Sequence, residues 1–221
     1  MLTLRRLAPD DDAAVHRIFR ATLGLGSPLP FEPVAFDLYS RLCLGWYLGP
    51  GRARARAVVA EDRVVGYVLV GADPRGQRRW TASRAGAYAA AVATASLTRP
   101  RHDPGLTFGR LRVRDGWVAR NGPAPMPVHA HMNLDPSVRI TEAGRLMREH
   151  VDDVCWLLGA PGWYGEVNAP VGRRARALER VVGPVVHRAP NLTYSWLLGR
   201  PVERLTVVRF AGRASAIKTA S

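Results

Sequence analysis

Polar and apolar residues alternate over Pro127–Leu134. Val128, Ala130, Met132 and Leu134 are apolar, and His129, His131 and Asn133 stand between them. This period of two predicts a strand with one apolar and one polar face. Pro136 ends it. Beyond it, Ala143, Met147, His150, Val154 and Leu157 recur at three- and four-residue steps, the pattern of one helix face. A strand that turns straight into a helix leaves backbone N–H groups free at the helix start, a natural phosphate site.

The rest of the chain punctuates itself around this unit. Leu2, Leu4 and Leu7 predict a first strand. Pro9-Asp10-Asp11-Asp12 starts a helix whose buried face is Val15, Ile18, Phe19 and Thr22 or Leu23. Gly24–Pro30 breaks it, and a second helix runs from Pro33 to Leu48. Ala55–Glu61 and Val64–Gly71 read as a hairpin turning at Glu61–Arg63. Within residues 73–125, Trp80–Leu97 is Ala-rich and helical in pattern. Leu106–Ala119 fits a helix or a hairpin, with helix favoured. This region has too few large apolar residues for a core of its own, so it reads as an insertion packed on the shared core. Trp163–Asn168 follows as a strand and Val171–Val182 as a helix whose outer face carries Arg173, Arg174, Arg176 and Arg180. Pro184–Arg188 and Leu192–Leu198 read as the last paired strands, with Leu205–Phe210 a further strand-like piece. The expected organisation is one domain over 1–210, with 73–125 inserted, and a disordered polar tail over 211–221.

Composition narrows the chemistry. A chain of 221 residues that is 47% hydrophobic can bury a sizeable core. It has no apolar run long enough to span a bilayer and no apolar signal core at its N-terminus, so no membrane partner is expected. Cys43 and Cys155 each fall in an apolar helical pattern and read as buried thiols, which predicts a cytoplasmic protein. The net charge is +14, yet of the 32 basic residues all but Lys218 are Arg, and they are spread along the chain. That spread argues against a dedicated nucleic-acid surface and for affinity toward phosphorylated or acidic ligands.

The element order β-α-α-β-β, insertion, β-α-β-α-β-β resembles the GCN5-related N-acetyltransferase superfamily, and residues 128–188 carry the match. The family's Arg/Gln-x-x-Gly-x-Gly/Ala loop falls on Arg139-Ile140-Thr141-Glu142-Ala143-Gly144. Its Asn-x-x-Ala-x-x-Leu-Tyr-x-x-x-Gly-Phe pattern falls on Gly172–Pro184, and Pro127–Leu134 resembles the Pro-x-His-Leu-His-Ile-Asp-Leu strand of a bacterial subgroup. The resemblance implies an α/β (α+β) fold: a mixed, mostly antiparallel twisted sheet of about seven strands flanked by helices, with a helical insertion before the central strand. It also implies acyl-CoA-dependent N-acyl transfer, with acetyl-CoA as cosubstrate, a small-molecule amine as acceptor and no metal.

On that reading, Leu134, Arg139, Ile140, Thr141, Glu142, Ala143, Gly144, Arg145, Asn168 and Arg173 hold the cofactor. The fourth and fifth strands, Val128–Leu134 and Trp163–Asn168, splay apart so that the pantetheine arm lies between them and pairs like a strand. His129 and His131 are candidate bases, Glu166 an alternative base, and Tyr164 or Tyr194 a substitute acid. Trp46, Tyr47 and Trp80 are candidates for the acceptor pocket. Glu142 stands at the loop's first Gly, where a carboxylate repels pyrophosphate unless it turns outward or pairs with Arg139 or Arg145. Glu179 stands where many members carry the acidic Tyr. A non-catalytic CoA-binding or protein-interaction module and an Arg-rich nucleic-acid binder are the alternatives, and a homodimer is left open.

Overall fold

The computed structural model describes residues 1–119, 122, 124–138 and 141–211, without the side chains of 173–176. Strands β1 (Leu2–Arg6), β2 (Arg56–Ala60), β3 (Arg63–Gly71), β4 (Val128–Leu134), β5 (Gly162–Pro170), β6 (Val185–Pro190) and β7 (Val202–Phe210) join edge to edge in the order β1-β2-β3-β4-β5-β7-β6. All neighbours are antiparallel except β4 and β5. The helices are α1 (Asp12–Thr22), α2 (Phe36–Leu48), α3 (Pro74–Thr98), α4 (Pro104–Ala119), α5 (Thr141–Leu157), α6 (Arg173–Val181) and α7 (Leu192–Leu198). Among the described residues no helix is long and apolar enough to cross a membrane.

The period of two in β4 sorts the two faces. Val128 and Ala130 join Val68, Val70 and Trp163 in a core closed by the apolar stripe of α5, namely Ala143, Met147, Val151, Val154 and Cys155. Asp152 of α5 accepts from Trp163 Nε1 at 2.8 Å and pairs with Arg209 at 3.0 Å, so α5 is tied to β5 and β7. His129, His131 and Asn133 lie on the other face, in register with Gly71, Leu69 and Tyr67. That face is covered by α1, α2, α3 and α4, and Tyr88 and Val92 of α3 and Leu106 and Phe108 of α4 belong to the same apolar cluster as Ile18, Phe19 and Tyr47.

Leu106–Ala119 is helical, within α4. Leu192–Leu198, expected as a strand, is instead the helix α7, and β6 pairs with Val202–Phe210. Caps decide this. Asn191 Oδ1 accepts from Tyr194 N, and Gly199 closes the helix at φ +61°, a conformation glycine adopts without steric penalty. Cys155 is buried as expected, whereas Cys43 is only half-buried. Of the 211–221 tail, only Ala211 lies within the described residues.

β4 and β5 pair only at Val128–Trp163 and His129–Tyr164. β4 continues on β3 as far as Leu134, and β5 continues on β7 to Pro170. Past His129 the two parallel strands separate, and their facing backbone edges carry no ladder between them.

Candidate active site

A cavity of ≈ 630 Å³ occupies that gap. Gly144, Met147 and Arg148 of α5 line it on one side of the sheet, and Phe19, Leu23, Tyr39, Arg112 and Tyr194 on the other. Between them lie His129 to Leu134 of β4 and Gly165 to Asn168 of β5.

The two imidazoles differ in what holds them. His129 Nδ1 lies 2.5 Å from the Tyr47 hydroxyl, which itself accepts from Gln77 Nε2 at 2.7 Å. With Gln77 as donor, the buried hydroxyl's own hydrogen goes to Nδ1, which places the His129 proton on Nε2. The ring also packs on Tyr164, centroids 4.7 Å apart. His131 is boxed edge-on by Phe19, Tyr47 and Tyr67. Among the described residues no side chain or backbone group hydrogen-bonds to it, and it lines the cavity. Burial pushes both imidazoles down to about 4, His131 with a further push from His129. Both are therefore neutral at pH 7.

These depressed values make stability depend on pH. An exposed imidazole titrates near ~6.5, so below that pH the unfolded chain binds more protons than the native one. The contribution is fully present above ~6.5 and is lost as pH falls toward about 4. His150, also lowered by burial, acts in the same direction. The carboxyls of Asp11 and Asp135, held down by Arg5 and by Ser137 respectively, act only in a lower window. Urea unfolding at pH 7 and pH 5 should differ by about 1–2 kcal/mol for each of these two imidazoles. His131→Leu should shrink that difference. Equal stability at the two pH values would contradict the burial argument.

Glu166 and Asn168 share the histidine face. Glu166, with its side chain 43% exposed, pairs with Arg204 Nε at 3.3 Å. Asn168 Oδ1 accepts from Asn191 Nδ2 at 2.8 Å, so the Asn168 side chain ties β5 to the α7 cap on the face opposite α5. Tyr164, raised by burial and by Glu166, touches His129 but does not line the cavity. Tyr194 does line it, yet its hydroxyl donates to the Leu23 carbonyl at 2.7 Å and is not free as an acid. Trp46 and Trp80 pack against each other, 6.3 Å apart, and neither lines the cavity; Tyr47 does not line it either and touches it through His129 and His131.

The residues expected around the cofactor separate in the same way. Leu134 and Gly144 line the cavity. Thr141, Glu142 and Arg145 are exposed, and Ala143 is buried in the core under α5. Glu142 is turned outward, while Arg145 pairs with Glu149 at 2.7 Å. Glu179 is exposed on α6 and does not line the cavity. Arg139, Ile140 and the Arg173 side chain lie outside the described residues. The sequence reading missed all three arginines that line the cavity, Arg148, Arg112 and Arg204. Arg148 follows Gly144 by four residues and so shares its helix face, a signal that was available. Nothing in the pattern singled out the other two among so many arginines.

No protein-family model matches the chain, and no curated protein matches it in sequence. Solved structures do match in shape. SsHAT is 20% identical with a TM-score of 0.62, over 96% of this chain and 99% of that one. A Drosophila melanogaster polyamine N-acetyltransferase that forms N-acetylagmatine is 17% identical with a TM-score of 0.55, over 95% and 100%. A GNAT superfamily phosphinothricin acetyltransferase from Sinorhizobium meliloti, in complex with AcCoA, is 15% identical with a TM-score of 0.54, over 100% and 94%.

Proposed function

From the GCN5-related N-acetyltransferase fold that this chain has, we propose that it is an acyl-CoA-dependent N-acyltransferase. It would move an acetyl group from acetyl-CoA to the amine of a small molecule. The observation that carries the reading is the gap between β4 and β5. Unpaired strand edges at the wall of a cavity can pair with an extended amide chain, as a pantetheine arm requires.

The lining fits such a ligand. A Cβ built on Gly144 would meet only Arg148 Nη1, at 3.3 Å, so the protein itself does not demand glycine there. A glycine inside a helix costs about 1 kcal/mol relative to alanine, and close approach of a ligand accounts for keeping it. Arg148 adds a cation on the same wall, and the first turn of α5 adds the positive end of its dipole. With Glu142 outward, no carboxylate of that turn opposes a phosphate.

The bound thioester would supply an activated acyl group. His131, neutral and with no hydrogen bond to its ring among the described residues, would take the proton from the acceptor amine as its nitrogen bonds the acyl carbon; the C–S bond breaks, and CoA leaves as a thiolate that takes the proton back. His129, locked to Tyr47, presents Nε2–H as a donor. Arg112 and Arg204 in the same cavity disfavour an ammonium there, which eases its deprotonation.

CoA at a hundredfold excess over its Kd should add about 2.7 kcal/mol to stability, which raises Tm by roughly 5–10 °C for a chain of this size. Gly144→Val should abolish that rise while leaving the ligand-free Tm within about 2 °C, since the added methyls project into the cavity. No rise with millimolar CoA would overturn the reading, and a rise unaltered in Gly144→Val would misplace the ligand. Thiol release against a panel of amines then separates a transferase from a CoA binder.

A further inference from the structure

Arg112 projects from α4 into the cavity on the histidine face. Its guanidinium lies over the ring of Tyr39 at 5.3 Å and near that of Tyr194 at 5.8 Å. Its Nε is buried without a hydrogen-bond partner, and among the described residues no carboxylate forms an ion pair with it. The acid one turn further along α4, Asp115, is committed elsewhere. Its Oδ1 accepts from Leu192 N at 3.0 Å, and its Oδ2 from the backbone and hydroxyl of Thr193. The Tyr194 hydroxyl donates to the Leu23 carbonyl.

A guanidinium is always charged, and withdrawing it from water without a bonded counter-ion costs several kcal/mol. Aromatic faces recover only part of that. The fork of donors is therefore left open toward the cavity, in the geometry that an oxyanion satisfies with two parallel hydrogen bonds. Arg204, on the β5–β7 side, is not equivalent, because Glu166 already lies 3.3 Å from it.

We propose that Arg112 binds an anionic group on the acceptor, so that the acceptor is an amino acid-like molecule carrying a carboxylate or related oxyanion besides its amine. This deepens the transfer reading and rests on it. Arg112 grips the acid end while the amine lies toward His131. A purely cationic amine would enter a cavity that already holds Arg112, Arg148 and Arg204 against one partly exposed carboxylate. The insertion, by supplying α4, sets the acceptor class.

The test pairs each of a panel of α-amino acids with the amine made by its decarboxylation. Each is titrated into the CoA-saturated protein by calorimetry, and into the CoA-free protein if CoA does not bind. At least one acid should bind, and at least tenfold more tightly than its own decarboxylated partner. Arg112→Met should erase that preference, and Arg112→Lys should keep part of it. The ligand-free Tm of Arg112→Met should match or exceed that of the wild type, because an unpaired buried charge has been removed. Amines binding as well as their parent acids, no acid binding at all, an unchanged preference in Arg112→Met, or a sharp fall in its ligand-free Tm would each overturn the proposal. An acid preference without any CoA-induced stabilisation would instead sink the transfer reading and leave the anion site standing.

Discussion

His131→Ala is expected to slow acyl transfer by about 10²–10⁴-fold, the usual worth of a positioned general base, while CoA still stabilises the protein as in the wild type. His129 and His131 share a strand face and are pushed down alike, but Tyr47 holds Nδ1 of His129, whereas among the described residues nothing hydrogen-bonds the His131 ring, which leaves it available. The loss should therefore fall on kcat, with KM for acetyl-CoA little changed. His129→Ala should cost less, because it removes a donor and a ring contact with Tyr164 but not the base. A second variant, His131→Gln, keeps the polar side chain against Phe19, Tyr47 and Tyr67 and guards against simple misfolding. The acid limb of kcat/KM reports the free enzyme's base, so it should lie near pH 4 to 5 and not at the ~6.5 of an exposed imidazole. If His129→Ala proved the more damaging change, the roles assigned to the two imidazoles would have to be exchanged.

Those two histidines were legible because a period of two states which side chains share a face, and β4 keeps that register on β3 from His129 to Leu134. The sheet was legible for the same reason, since breakers and alternation fix element order with little help from distant contacts. α7 was not. Leu-Thr-Tyr-Ser-Trp-Leu-Leu is rich in residues that favour strands, and the acceptor that holds two of its first backbone N–H groups is Asp115, 77 residues before Leu192. Arg112 escaped for a related reason. In an arginine-rich chain the residue type carries no information, and only the packing of α4 against α2 and α7 distinguishes a cavity guanidinium from a solvated one. The cofactor-side expectations treat consecutive residues as one site, while the structure sends them in different directions. On a helix, Ala143 turns into the core and Glu142 and Arg145 outward, which leaves Gly144 and its helix neighbour Arg148 to face the cavity.

Asp115→Ala should be the most destabilising single change outside the apolar core, by about 3–5 kcal/mol, or a fall in Tm of roughly 6–20 °C. Asp115 is 7% exposed and accepts three hydrogen bonds, all from the start of α7. A helix of seven residues cannot nucleate on its own, so this carboxylate and Asn191 together hold it. Alanine would leave the Leu192 and Thr193 N–H groups without that acceptor and would remove the negative charge nearest Arg112 on its own helix. The damage would also reach the cavity, because α7 carries Tyr194, whose hydroxyl anchors to Leu23 on the same wall. Asp115→Asn keeps one acceptor oxygen and should lose about half as much. Chemical denaturation of the two variants tests the cap, and a loss below about 1 kcal/mol for Asp115→Ala would show that α7 is held by other means. The double variant Arg112→Met/Asp115→Ala isolates the charge contribution. If part of the loss comes from baring a guanidinium, removing the guanidinium as well should recover that part, and the two changes will fall short of additivity. A fully additive double variant would assign the whole effect to the helix cap.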